Sequence, residues 1–238
     1  MYTDPRGGHN RKTVNKDFFK KWSPKMAYVT GLIYADGAVE DVRKSSRTCY
    51  TTIASKDKEL LVDVCQAMES NHNIYIYKGA IREFPGGKRY LTKSINVLRI
   101  GSKSIFQDLL NIGVTPRKSL TLQFPKVPQR FLKYFVRGYF DGDGCVNVSL
   151  KKNRLKPVII TIFTCGSEKF LVTLSKIVGK VIDMSTQKIN FQSRAFRLRY
   201  RMHDSLKLLK FMYKGLNDAP FLKRKYDIYQ KYLLTIQN

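Results

Sequence analysis

One short segment occurs twice in this chain, and it limits the possible folds more than any other feature. Residues 26–39 read MAYVTGLIYADGAV, and residues 133–146 read KYFVRGYFDGDGCV. An offset of 107 residues (143 minus 36) aligns Asp36 with Asp143, Gly31 with Gly138 and Gly37 with Gly144. Each copy follows a helix-start signal: Ser23-Pro24 before the first, Pro128 before the second. Each reads as a helix that ends at Asp-Gly. A glycine at that place accepts the left-handed backbone that stops a helix.

The segments that follow also run in parallel. Residues 38–54 carry a strand-like run ending Thr51-Thr52-Ile53-Ala54. Residues 145–164 carry two apolar stretches around the turn Lys151-Lys152-Asn153-Arg154. Apolar residues at spacings of three and four predict helices over 58–68 (Leu60, Leu61, Val64, Cys65, Met68) and 168–178 (Phe170, Leu171, Leu174, Ile177, Val178). Strands are predicted at 73–79 and 94–101, with a hairpin signal at Phe84-Pro85-Gly86-Gly87, and again at 181–187 and 195–202. Helices follow at 103–112 and 204–213. Register returns at Arg117-Lys118 and Arg224-Lys225, again 107 residues apart. The expectation is an α+β molecule of two pseudo-twofold-related αββαββα halves, with antiparallel sheets forming a saddle. Residues 1–17 read as a flexible basic extension, 18–120 as the N-terminal half and 121–238 as the C-terminal half.

Charge indicates the partner. Lysine and arginine number 44 against 18 acids, a formal net charge of +26. Such a surplus repels itself unless a polyanion neutralises it. It is spread through both halves, which suits an extended nucleic-acid groove better than a tethering tail. No hydrophobic run is long enough to span a bilayer. Cys49, Cys65, Cys145 and Cys165 form no C-x-x-C pair, and His9, His72 and His203 lie far apart, which disfavours zinc. Isolated cysteines and a first stretch, MYTDPRGGHNRK, without an apolar signal suit an intracellular setting. No cysteine or serine stands first, as a self-splicing element would need, which suggests a free-standing protein.

The two predicted helices carry small residues one turn apart: Ala27, Gly31 and Ala35 in the first, Gly138 and Gly142 in the second. Such faces allow close approach. Packed on each other, they would bring Asp36 and Asp143 together. Adjacent carboxylates repel unless a cation lies between them, and a hard divalent ion such as Mg²⁺ takes oxygen ligands. The carbonyls of Ala35 and Gly142, one residue before each aspartate, are further candidate ligands. A metal so placed supports phosphodiester hydrolysis. Asp-Gly is also a common turn pair, but acids at helix C-termini are electrostatically unfavourable, so two copies need a compensating cation.

At these residues the sequence resembles the LAGLIDADG homing endonucleases, whose signature ends G-x-x-D-x-D-G. Gly138-Tyr139-Phe140-Asp141-Gly142-Asp143-Gly144 matches fully, whereas the first copy has Tyr34 at the first acid. The resemblance covers the chain from about residue 18 onward. It implies a monomeric, intron-encoded enzyme that binds a long non-palindromic site in double-stranded DNA and cuts both strands with Mg²⁺, using Asp36 and Asp143. It also implies basic residues beside the metals, for which Lys118 and Lys225 are the best matches. Each would orient the attacking water or stabilise phosphate charge, or else only anchor phosphate. Ser55 and Thr164 are the polar strand residues nearest the expected site.

DNA reading would fall to side chains alternating along the strands, because a β-ribbon fits the major groove. Candidates are Arg47, Lys78, Arg82, Lys88, Arg89, Lys93 and Arg99 in the first half. Those in the second are Lys151, Lys152, Arg154, Lys188, Gln192, Arg194 and Arg197. Some would touch phosphate only. Tyr75 and Tyr77 read as packing or sheet-face residues more than base-stacking ones. The alternatives are an RNA maturase that helps its host intron splice, and a DNA-binding regulator without catalysis. Retention of both aspartates favours cleavage over either.

Overall fold

Ser23 accepts a hydrogen bond from the Met26 amide at 3.1 Å and Pro24 takes the first helical position, so helix α1 runs Pro24–Asp36. The computed structural model describes residues 12–41, 48–83, 87, 89–150 and 156–237. After α1 come β1 (Gly37–Asp41), β2 (Cys49–Ser55), α2 (Lys58–Ala67), β3 (Ile74–Tyr77), β4 (Ile81–Glu83), β5 (Arg89–Leu91), β6 (Ile95–Gly101) and α3 (Lys103–Ile112). Two single 3-10 turns, Lys118–Leu120 and Gln129–Phe131, lead to α4 (Leu132–Asp143). The second half continues with β7 (Gly144–Ser149), β8 (Val158–Cys165), α5 (Glu168–Ile182), β9 (Ile189–Gln192), β10 (Ala195–Arg201), α6 (Met202–Tyr213) and α7 (Lys223–Gln237).

The sheets repeat the same antiparallel topology, β1-β2-β6-β3 and β7-β8-β10-β9. Gly37 pairs with Ile53 at the start of one, and Gly144 with Phe163 at the start of the other. The α+β class and the two αββαββα halves are therefore present. Two additions break the symmetry: the separate β4–β5 hairpin in the first half and α7 in the second.

Strand alternation gives each sheet one packed and one open face. Val39, Cys49, Ile53, Leu98 and Ile100 are buried, while Ala38, Glu40 and Arg99 between them are exposed. In the second half Val146, Thr161, Phe163, Leu198 and Tyr200 are buried. Helix α1 has no polar side. Every residue from Met26 to Tyr34 is buried, as is every residue of α4 from Tyr134 to Asp141. Helices buried all round lie at the centre of a fold, and these two lie against each other.

The glycines explain how closely. A Cβ on Gly31 would sit 2.1 Å from the Phe135 carbonyl oxygen, and one on Gly138 would sit 2.0 Å from that of Tyr28. Both pairs obey the repeat offset, so the contact is reciprocal about the pseudo-twofold axis. Around it, Tyr34 packs edge-on against Phe135 at 5.3 Å, and Tyr139 lies 4.5 Å from Phe170. Among the described residues no helix is long and apolar enough to cross a membrane.

Several sequence expectations need correction. Gly37 and Gly144 are extended (φ −91° and −94°), not left-handed, so each helix passes directly into a strand. The strand expected at 181–187 is absent. Helix α5 continues to Ile182, where Val181 and Ile182 still pack on the core, and a left-handed Asp183 ends it; the strand is Ile189–Gln192. Of the expected extension, residues 1–11 lie outside the described residues. Residues 12–15 are bonded to the α2–β3 connection, through Thr13 N to Asn71 Oδ1 at 2.6 Å and Asn15 N to Met68 O at 3.0 Å, and Phe18 and Phe19 are buried. Phe84, Pro85 and Gly86 of the hairpin signal lie outside the described residues.

Gly138→Ala should destabilise the protein by about 3 kcal/mol or more, since the added methyl meets a backbone oxygen that can move only with its helix. Urea unfolding would measure this, and a midpoint unchanged from the parent protein would refute the packing account.

Candidate active site

The two helix ends meet on one side of the molecule. Ala35 and Gly142 touch across the axis: a Cβ on Gly142 would lie 2.4 Å from that of Ala35 and 3.1 Å from Asp36 Oδ2. Asp36 and Asp143 are therefore neighbours across the pair of helices. Exposure alternates from the first aspartate: Asp36 exposed, Gly37 buried, Ala38 exposed. The carboxylates thus continue the open faces of the sheets. Glycine follows each aspartate for want of room. A Cβ on Gly37 would lie 2.6 Å from Ile33 Cα, and one on Gly144 would lie 2.4 Å from Phe140 O.

Lys118 and Lys225 reach these same helix ends from different local structures, a 3-10 turn and the first turn of α7. Both are buried. Lys118 Nζ donates to Gly37 O at 2.6 Å. Lys225 Nζ donates to the carbonyls of Phe140 (2.5 Å), Asp141 (2.9 Å) and Gly144 (2.6 Å). An ammonium there adds a donor to the carbonyls at the helix end, of which Phe140 O also accepts from the Gly144 amide, and offsets the negative end of the helix dipole. The lysines do not take the carbonyls of Ala35 or Gly142.

The four charges are coupled. Burial raises the Asp143 carboxyl to about 6, and the charge of Asp36 adds to this, while Lys118 and then Lys225 oppose it. The surrounding chain also partly desolvates Asp36, although its side chain reaches solvent, and this raises its carboxyl, opposed by Lys225, then Lys118 and Lys56. Each of the two aspartates is thus opposed first by the lysine of the other copy, while Lys225 itself is held charged first by Asp141. Burial lowers both lysines, Lys225 to about 8, and the nearby carboxylates resist this.

Among the described residues no three His, Cys, Asp or Glu side chains converge. The site offers two carboxylates, with backbone carbonyls, water or phosphate to complete a shell. This all-oxygen set fits a hard divalent cation such as Mg²⁺.

Further residues hold the helix ends in place. Asp141 is buried and accepts from Tyr28 Oη and from the Leu222 amide, both at 2.8 Å. It ties α1 to the chain entering α7, three residues before Lys225. In the first copy Tyr34 takes this place, and its hydroxyl donates to Ile112 O at 2.9 Å at the end of α3. The departure from the signature is a substitute tether. Arg137 is fully buried and donates to Met212 O (3.2 Å) and Ala219 O (2.8 Å). A buried arginine within a helix signals such a role, but the sequence does not reveal its partners.

The expected DNA-facing residues separate into groups. Arg99 and Arg197 stand on the open faces. Arg99 pairs with Glu40 at 3.1 Å and lies 3.8 Å over the Tyr50 ring; Arg197 donates to Gln192 at 3.0 Å. Lys78, Lys93, Lys188 and Arg194 are exposed beside the strands. Arg89 pairs with Glu83. Arg82 lies on β4, opposite Tyr90. Arg47, Lys88, Lys151, Lys152 and Arg154 lie outside the described residues. Tyr75 and Tyr77 are 54% and 59% exposed, which places them on the sheet surface and not in the core. Ser55 accepts from the Asp57 amide at 3.1 Å, and the Thr164 carbonyl accepts from Tyr139 Oη at 2.9 Å. Arg199 and Arg201 went unnoticed, although the alternation Arg-Leu-Arg-Tyr-Arg over 197–201 puts all three arginines on one face. Lys56, exposed beside Asp36, was also missed; no sequence signal marks it.

Comparisons with known proteins bear on the fold. Residues 130–206 match the LAGLIDADG-like domain family. No curated protein matches the chain in sequence. Among solved structures, the homing endonuclease I-WcaI bound to its DNA recognition sequence aligns with a TM-score of 0.54 at 12% identity, over 94% of this chain and 93% of that one. The LAGLIDADG meganuclease I-CpaMI bound to uncleaved DNA gives 0.55 at 14% identity, over 91% and 95%. Mesophilic variants of the homing endonuclease I-DmoI give 0.52 at 15%, over 83% and 92%. At these identities the likeness establishes the shared fold.

A cation held by Asp143 would need its carboxyl ionised, and that carboxyl is raised to about 6. The raised value favours the protonated form, so apparent Mg²⁺ affinity should fall by about tenfold per pH unit below about pH 6. Mg²⁺ should raise the melting temperature at about pH 7.5 and do so no longer near pH 5. Asp143→Asn should abolish the Mg²⁺ effect at about pH 7.5. An Mg²⁺ response independent of pH would show that Asp143 is not a ligand.

Proposed function

We infer that this chain, which carries a LAGLIDADG-like domain over residues 130–206 and has the fold of the LAGLIDADG homing endonucleases, is a monomeric, divalent-metal-dependent endonuclease that cuts both strands of a long, non-palindromic DNA site. The observation that carries this reading is the meeting of Asp36 and Asp143 at two packed helix ends, with Lys118 and Lys225 buried beside them.

Each part has a physical task. The open sheet faces and the net charge of +26 supply a surface for duplex DNA. Asp36 and Asp143 would hold the cation, with the carbonyls of Ala35 and Gly142 as further oxygen donors. When bound, the cation supplies Lewis-acid polarisation of the scissile phosphate and lowers the pKa of water. Lys118 and Lys225 keep the helix ends in register and place positive charge where the phosphate becomes more negative. One carboxylate per half, one half per strand, accounts for cutting both strands within one chain. I-WcaI and I-CpaMI are seen with DNA, which favours a DNA substrate. A host intron RNA would use the basic surface but not the pair of carboxylates, so maturase activity is the weaker reading.

Asp36→Asn and Asp143→Asn should each lower double-strand cleavage by about 100-fold or more. Affinity for the same DNA, measured with magnesium chelated, should change little. The substrate would come from a library of DNA sites incubated with Mg²⁺ and sequenced at the cut ends. Undiminished cleavage by the double variant would refute the assignment.

A further inference from the structure

The two open sheet faces repeat in backbone but not in chemistry. Thr52 pairs with Arg99 as Ile162 pairs with Arg199, so β6 and β10 occupy matching places. On β10 the open-face positions are Arg197, Arg199 and Arg201. On β6 the matching positions are Val97, Arg99 and Gly101. Among the described residues none of the three β10 arginines forms an ion pair, whereas Arg99 is neutralised by Glu40 at 3.1 Å and covers Tyr50. The neighbouring strand widens the contrast. On β9, Asn190 pairs with Arg197 and Gln192 with Ala195, so polar amides flank the arginines. On β3, Tyr75 pairs with Val97 and Tyr77 with Ile95. The C-terminal face thus carries a row of guanidiniums, with amides beside it on β9 and Ile160, Ile162 and Thr164 beside it on β8. The N-terminal face carries Tyr50, Tyr75, Tyr77 and Val97 beside Thr52 and Glu40, and its one strand arginine is already paired with that glutamate.

Base edges in the major groove distinguish these surfaces. Guanine offers O6 and N7 to a guanidinium in a two-bond fork, and adenine offers N6 and N7 to an amide. Thymine offers a methyl group, which apolar side chains contact. Nothing in the repeat demands the difference, since the halves share topology and register.

We propose that the two halves read different base chemistry: the C-terminal sheet selects a guanine-containing half-site through Arg197, Arg199 and Arg201, and the N-terminal sheet selects an A·T-rich half-site through apolar contact with thymine methyls. This rests on the DNA-directed reading above and adds the composition of the substrate. It also assigns Arg199 and Arg201 as specificity-determining residues. Arg199 carries most of the test, because it is central in the row and flanked on β10 by buried Leu198 and Tyr200, which hold its strand in place.

The experiment is selection of bound sequences from a randomised duplex library with magnesium chelated, so that cleavage does not deplete the bound pool. The parent protein should yield a site with one G·C-rich and one A·T-rich half. Arg199→Ala should lose discrimination at one or two G·C positions by about tenfold or more and leave the other half-site unchanged. Arg199→Lys, which keeps the charge and does not disturb the fold, should restore affinity without restoring guanine preference. Val97→Arg should introduce a new guanine preference in the A·T-rich half. Equal base composition in the two halves would overturn the proposal while leaving the endonuclease reading intact. So would an Arg199→Ala variant that binds more weakly but with unchanged preference, the behaviour of a phosphate anchor. Failure to recover any preferred sequence would overturn both.

Discussion

Backbone-to-backbone contact between α1 and α4 is the constraint on which the rest of the molecule depends. At Gly31 and Gly138 each helix lies against a carbonyl of the other, with no space for even a methyl group. One turn further on, Ala35 meets Gly142, so the aspartates that follow cannot lie far apart. Any larger residue in this row would separate the helix ends and, with them, the carboxylates. The sheets inherit the same geometry, because β1 and β7 begin at the residue after each aspartate. One contact therefore sets the spacing of the carboxylates and the placement of both open faces. Small residues permit the contact, but the surrounding burial stabilises it: the aromatic cluster of Tyr34, Phe135, Tyr139 and Phe170 closes around the axis.

That contact creates an electrostatic problem. Two helix C-termini and two carboxylates converge, all of them negative. Asp143 feels both burial and the charge of Asp36. Lys118 and Lys225 are the response, and they are costly ones, since burial pulls each ammonium toward neutrality. They stay because their protons go to carbonyls at the helix ends and because carboxylates lie near both, Asp143 and Asp36 for Lys118, Asp141 and Asp36 for Lys225. Without a cation, two carboxylates and two ammoniums balance. A divalent ion then adds net positive charge at the place where a phosphate would arrive. On the endonuclease reading, the lysines would make the site tolerable when empty and attractive to a phosphate once a cation is held.

The sequence exposed the parts governed by periodicity and local capping. The repeat of 31, 36 and 37 at 138, 143 and 144, the Ser23-Pro24 start, and the alternation along β2, β6, β8 and β10 all act over a few residues, and all were legible. The convergence of Lys118 and Lys225 was foreseeable only as matching positions, since their local structures differ. What remained hidden depends on contacts distant in the chain. Gly37 and Gly144 looked like left-handed stops, but their need is for room against Ile33 and Phe140. The end of α5 at Ile182 depends on Val181 and Ile182 packing on the core. The partners of Asp141, Tyr28 and Leu222, lie 113 and 81 residues away along the chain, and no local pattern announces them.

Joining two copies in one chain frees each from the other wherever the axis contact does not hold it. Close to the axis the copies still match: glycine answers glycine, aspartate answers aspartate, and a buried lysine reaches each helix end. One step outward they diverge. Tyr34 donates to the end of α3 in one half, whereas Asp141 accepts from Tyr28 and from the entry to α7 in the other. Lys118 holds one carbonyl and Lys225 three. Further out, the open faces differ in charge, with a row of three arginines on β10 and a paired Arg99 on β6. Divergence thus grows with distance from the helix pair. This is the gradient expected when the chemistry at the axis is common to both halves while the surfaces beyond it face unlike halves of one partner.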